Sequence, residues 1–177
     1  MLLPQSAFAA PQSRPVSLAR PTIVESGFAP GTLIETEDGA LPVEHLFAGD
    51  RVAVMGGGFA TLRAVNRIRA LSTEMVMVPA CSVEGLKRPL TLAAGHPVLL
   101  DDWRAQVVFG QPAILSKAAA LADKPGVRLQ RRNVQTLIQL EFDTPQAICA
   151  NGLWLGCGTR AGKAAPKMRA ATGRKLH

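Results

Sequence analysis

The sequence has no tyrosine, two tryptophans and six phenylalanines, so aromatics make up 5% of its 177 residues. A surface that reads bases or sugars by stacking is therefore short of platforms. The three cysteines, Cys81, Cys149 and Cys157, are odd in number, and no two of them stand in Cys-x-x-Cys spacing. Neither a zinc site nor a disulfide framework is implied, and idle or buried thiols in a reducing compartment are the expectation. Long apolar runs are missing too, since none approaches the roughly 18 to 20 residues of a membrane span. The opening Met1-Leu2-Leu3-Pro4-Gln5-Ser6-Ala7-Phe8-Ala9-Ala10 has small residues but no basic leader and only a short apolar centre. It is not read as a signal peptide. A cytoplasmic protein, or a part of an assembled particle, is expected, with no cofactor.

What is present is a basic, moderately apolar chain: net charge +7, pI about 10.0 and 47% hydrophobic residues. That is enough apolar content for one core. Residues 1–24 carry Pro4, Pro11, Pro15 and Pro21 among serines and glutamines, the composition of an extended arm. Residues 159–177 hold six cations, Arg160, Lys163, Lys167, Arg169, Arg174 and Lys175, and no carboxylate. Much of the excess charge thus belongs to a basic tail, and a smaller cluster is Lys124, Arg128, Arg131 and Arg132. Between arm and tail, residues 25–158 are expected to form the folded domain. Arms and tails of this kind order on neighbours, which points to a protein partner in an assembly. Nucleic acid is a weaker alternative, since no binding motif accompanies the charge.

The domain reads as all-β, with one or two short helices. Leu33 to Thr36 is a short β-leaning run, Glu37-Asp38-Gly39 is turn chemistry, and Leu41-Pro42-Val43 can open a second strand. Glu44-His45-Leu46-Phe47-Ala48-Gly49 reads as one helical turn, and Arg51-Val52-Ala53-Val54-Met55 as a strand ended by Gly56-Gly57-Gly58. Further strands are expected in residues 59–71, 75–80, 90–92, 97–100, 103–109, 134–142 and 146–150. In residues 134–142, Val134, Thr136, Ile138, Leu140 and Phe142 share one face; Gln135, Leu137, Gln139 and Glu141 share the other. Alanine-rich residues 112–121 are the best helix candidate, and Asn151-Gly152 is a hairpin turn. Leu33, Val43, Leu46, Val52, Val78, Leu92, Val98, Ile138 and Leu140 are the expected core.

The run Gly27-Phe28-Ala29-Pro30-Gly31-Thr32, followed by Asp38-Gly39, Val43-Glu44-His45-Leu46 and Gly49-Asp50-Arg51-Val52, resembles the opening of the Hint (Hedgehog/intein) self-processing domain. That opening reads Cys-Phe-x-x-Gly-Thr, then Asp-Gly, Val-Glu-x-Leu and Gly-Asp-x-Val. Residues 90–100 resemble its second block, a strand leading to a histidine. Residues 113–121 resemble a Val-Pro-Ala-x-x-Leu segment of bacterial relatives, and residues 137–154 resemble the closing hairpin. The resemblance implies a compact horseshoe of short strands. It also implies an acyl shift in which the first residue's thiol or hydroxyl attacks the preceding carbonyl, so that a peptide bond is exchanged for a thioester or ester. Such chemistry needs a nucleophile at the junction, a proton donor or acceptor beside it, and donors for the oxyanion.

The chain departs from that pattern twice. Gly27 stands where the family has its cysteine, and Thr-x-x-His of the second block becomes Ala93-Ala94-Gly95-His96. Two independent departures favour natural loss over a single engineered replacement at position 27. His96 matches the family histidine, although a histidine between apolar strands is more often a hydrogen-bonded core residue when its nucleophile is missing. Thr91 carries a hydroxyl two residues before Ala93, on the same strand face but elsewhere. Ser26 is the hydroxyl beside the junction, one residue out of register. His96, Gly27, Ser26 and Thr91 are therefore vestigial site candidates. His45 is expected to face solvent, and Asp101 and Asp102 read as a turn. No His-Asn pair stands at Asn133 or Asn151, so the splicing ending of inteins is missing. The expectation is a degenerate domain serving as a structural or interaction module, in a phage-like particle or bacterial surface assembly. The alternative is active self-processing near residue 27.

Overall fold

A computed structural model of the chain describes residues 25–100 and 114–158. The expected arm and tail, the expected strand at 103–109, and Asp101, Asp102 and His177 lie outside the described residues. Eleven strands are described: β1 Leu33–Thr36, β2 Gly39–Pro42, β3 Arg51–Ala53, β4 Phe59–Thr61, β5 Ala64–Val78, β6 Leu90–Ala93, β7 Pro97–Leu100, β8 Ile114–Lys117, β9 Arg128–Glu141, β10 Gln146–Ala150 and β11 Leu153–Cys157. Two 3-10 turns, Val43–His45 and Ala118–Asp123, complete them. The fold is all-β. Most strands are three to five residues long, but β5 and β9 run to 15 and 14.

One eight-stranded sheet has the order β4-β3-β1-β10-β11-β7-β8, with β2 also on β1; a second has the order β6-β5-β9. The long strands pair from Ala64 opposite Glu141 to Met77 opposite Arg128. Ser72, at φ 51°, interrupts the pleat within β5. Before it, Val65 packs on the main core while Ala70 and Ile68 pack on a smaller cluster; beyond it, Val76 and Val78 join the main core and Met75 the smaller one. The side-chain alternation turns over along β5, so the one strand pair serves both clusters.

Of the expected core, Val43, Leu46, Val52, Val78, Leu92, Val98, Ile138 and Leu140 are buried. Leu33 is only half-buried, because the alternation of β1 sends Ile34 and Thr36 inward instead. Val134, placed by pattern on the inner face of β9, is 48% exposed, since residues 128–134 of that strand are all exposed. The helical turn expected at residues 44–49 is the shorter 3-10 turn Val43–His45.

The expected helix at 112–121 is overturned. Its described part is β8 followed by the 3-10 turn Ala118–Asp123. Alanine's helix propensity is a weak prior that pairing and burial override. Leu115 stands opposite Leu99 and Ser116 opposite Val98. The Ala118 and Ala119 amides donate to the His96 and Ala94 carbonyls at 2.8 and 2.9 Å, and Ala118 and Leu121 are fully buried.

The hairpin turn between β10 and β11 is as expected. Asn151 and Gly152 both have positive φ, 50° and 95°, the signature of a primed turn. Gly152 is required for a second reason: a Cβ there would run into the Gly85 carbonyl oxygen. Asn151 is a clamp. Its Oδ1 accepts from Leu33 N–H and its Nδ2 donates to Pro89 O, both at 2.8 Å. Its own backbone bonds Leu33 and Lys87 at 2.9 Å each.

Candidate functional site

The residues flanking the junction enter the fold as an extended segment between β6 and β9. Phe28 forms antiparallel bridges to both Leu92 and Ile138. Its N–H donates to Ile138 O at 2.8 Å and its carbonyl accepts from Ile138 N–H at 2.9 Å. On the other side, Ala29 N–H donates to Thr91 O and Ala93 N–H to Gly27 O, both at 3.1 Å. The Phe28 ring is fully buried in the main core. Apolar burial and four backbone bonds thus fix the chain direction through the junction.

β6 ends in the turn that carries His96, whose N–H donates to Ala93 O at 2.9 Å. The ring is buried at 3% exposure and packs on Phe28 with centroids 4.5 Å apart. Its Nδ1 accepts from the Gly27 N–H at 3.1 Å. An imidazole that accepts at Nδ1 is neutral with its proton on Nε2. Nε2 itself is buried without a partner among the described residues. Burial pushes the His96 pKa down to about 3, because charging the ring there forgoes hydration with no carboxylate to compensate.

The carbonyl of the same peptide is also held. Gln139 Nε2 donates to Ser26 O at 2.8 Å and lies 3.3 Å from Ser26 Oγ. The Ser26–Gly27 peptide is therefore clasped at both ends, with His96 on its nitrogen and Gln139 on its oxygen. That arrangement polarises an amide and restrains its rotation. A nucleophile is not part of it. Gly27 is buried at φ +147°, a conformation rare for residues with side chains, and a Cβ there would stand 3.0 Å from the Leu137 Cβ. Ala93 presents a buried methyl to the smaller cluster.

The structure thus brings Gly27, His96 and Ser26 together, with Thr91 joining through its backbone oxygen. His45 is exposed and apart from them. Gln139, which alternation places on the face shared with Gln135, Leu137 and Glu141, is a site residue that sequence reasoning does not single out. Its one signal is a lone amide between Ile138 and Leu140 in a strand that is otherwise apolar where it meets the junction. The cysteines are free thiols: Cys81 is exposed, Cys149 is half-buried and Cys157 is buried. Burial raises the Cys149 thiol and pushes Cys157 up to about 12. Among the described residues no group of three or more His, Cys, Asp or Glu side chains could hold a metal ion. No helix among them is long and apolar enough to cross a membrane.

A family model described as Hint domain matches residues 26–157. Among solved structures, a DnaB intein from Synechocystis sp. PCC 6803 is similar at TM-score 0.52 and 11% identity, over 75% of this chain and 99% of that one. The Ssp DnaB mini-intein variant M86 is similar at TM-score 0.53 and 10% identity, over 80% and 99% of the two chains. At such identities the likeness is one of fold. No curated protein sequence matches.

Proposed function

We propose that this chain, which belongs to the Hint domain family, is a degenerate member that keeps the frame of the self-processing site without its cleavage and serves as an interaction module. The observation that carries the reading is the contact at Gly27. Where a nucleophilic side chain would start, the Leu137 Cβ stands 3.0 Å away, while His96 still receives the junction amide. That close approach supports the reading, and so does the methyl that Ala93 presents in place of a hydroxyl. Deleting a nucleophile and a polar helper together lowers such rates by several orders of magnitude.

The test is the intact mass of the full chain, freshly translated and then incubated with hydroxylamine or a thiol. The expected outcome is a single 18.7 kDa species, with residues 1–26 attached. Gly27→Cys is expected to restore little, since its Cβ meets Leu137 and Ala93 stays apolar. Efficient release of a fragment beginning at Gly27 or at Ser26 would overturn the reading.

Ser26 supports the alternative, self-processing by a hydroxyl, through its 3.3 Å approach to Gln139. Its own attack would fall on the Glu25 carbonyl, one peptide away from the clasped bond. That displacement is why the degenerate reading is preferred.

A further inference from the structure

We propose that the open edge of β9, residues 128–136, is the docking edge of this module for an extended acidic segment of a partner protein, which adds to the sheet as a further strand. The inference rests on the interaction reading above and names the surface and the kind of partner.

Three observations carry it. The first is the unpaired backbone. β9 pairs with β5 along one side. On its other side Ile138 exchanges two bonds with Phe28, and among the described residues no backbone group bonds the outer side of residues 128–136. Since Ile138 turns its N–H and carbonyl outward, Thr136 and Val134, two and four residues back, turn theirs to the open edge, where the Thr136 carbonyl accepts from the Gln135 side chain in an exposed bond of 3.0 Å.

The second observation is apolar exposure along the same edge. Leu129 and Val134 are 43% and 48% exposed. Strand addition uses main-chain bonds for affinity and alternate side chains for selection, and these two residues offer that footing.

The third observation is charge of one sign. Arg128, Arg131 and Arg132 lie on the edge, and no carboxylate occurs between Arg128 and Leu140. Glu74 stands opposite Arg131, but Arg128 and Arg132 face Met77 and Thr73. Neither ion pair among the described residues involves them. Edge strands are commonly protected by charge, proline or shortness. This edge is long and without proline, and its charges are all positive. Like charge repels a second copy of the same edge and attracts an acidic strand. The outward backbone row and the two apolar side chains suit a peptide better than a nucleic-acid backbone.

The test is fluorescence anisotropy on the full chain with a labelled, capped peptide of alternating glutamate and valine. The controls are a version interrupted by prolines, a lysine–valine version and a single-stranded oligonucleotide. The acidic strand is expected to bind about tenfold or more tightly than either peptide control. Arg128→Glu with Arg132→Glu should abolish that preference while leaving the thermal melt unchanged. Val134→Pro, which removes one outward donor at an edge where proline is tolerated, should weaken binding without reversing charge. Equal binding of the proline-interrupted peptide, preferential binding of the oligonucleotide, dimerisation through this edge, or no binding would each overturn the proposal. Intact mass on the same sample reports separately whether the chain remains uncleaved, so loss of the docking edge and loss of the degenerate reading are told apart.

Discussion

His96 and Asn151 are both polar, both buried and both at turns that follow a strand, yet the fold treats them differently. At 7% exposure, Asn151 has its side-chain oxygen and nitrogen both bonded at 2.8 Å. At 3% exposure, His96 has one nitrogen bonded and the other without a partner among the described residues. A buried polar group is ordinarily satisfied. Asn151 therefore reads as architecture: it ties β1 and the chain before β6 to the β10–β11 turn. His96 instead bonds the junction amide itself, through Nδ1. The difference separates a residue that ties strands together from one held against the junction peptide.

The largest expected effect breaks the architectural half. Asn151→Ala removes an acceptor for Leu33 and a donor for Pro89, and leaves alanine at a φ of 50°. Stranding two buried groups and straining the turn should cost about 3–5 kcal/mol in urea unfolding. Gly27, in the other half, should remain paired with His96 in any folded fraction. A cost below about 1 kcal/mol would mean that the clamp contributes little, and the contrast with His96 would fail.

The second effect sharpens the site half through pH. The His96 pKa is pushed down to about 3 in the folded protein by burial, against an unfolded value near 6.5. Between those two values the unfolded chain binds the extra proton and the folded chain does not. Stability contributed by the neutral ring is thus fully present above about pH 6.5 and is lost as pH falls toward 3, by up to about 1.4 kcal/mol per pH unit. Denaturant unfolding from pH 7 to pH 4 should show that slope. His96→Gln, whose amide oxygen can still accept from Gly27, should flatten it. Asn151 does not titrate and should leave the slope unchanged in any variant that folds.

The two halves were also legible to different degrees. Asn151-Gly152 was readable as a turn from local chemistry alone, because a primed hairpin turn demands positive φ in succession. Its clamp on Leu33 and Pro89 was not, since those partners are distant in sequence. Gly27 and His96 were paired through the resemblance of two separated blocks; composition and periodicity would not have joined them. Gln139 is not legible as a site residue, because alternation gives which face a residue takes but not what arrives opposite. The bridged segment around Phe28 is what brings Ser26 to it. The alanine-rich segment departs from its propensity for a related reason. Its propensity is local, whereas β7 and the His96 and Ala94 carbonyls, which claim its backbone, are supplied by the rest of the fold.

The smallest expected effect tests whether the site half retains any chemistry. Ser26 is half-buried, and its hydroxyl makes only the longer of the two contacts with Gln139, 3.3 Å against 2.8 Å to the carbonyl. Ser26→Ala keeps the carbonyl bond and loses the weaker contact, so stability should change by less than about 0.5 kcal/mol. The intact mass should not change in kind, because the wild-type chain is expected to be uncleaved already. Both bonds to the junction, from Gln139 to Ser26 O and from Gly27 N–H to His96, belong to the peptide after Ser26. A Ser26 hydroxyl attacking the carbonyl of Glu25 would draw on neither. If wild-type protein showed slow cleavage that Ser26→Ala eliminated, the proton acceptor and the oxyanion donor for the Glu25 carbonyl would have to be sought outside the His96–Gln139 clasp. His96 would then join Asn151 as architecture, and the distinction drawn between them would collapse.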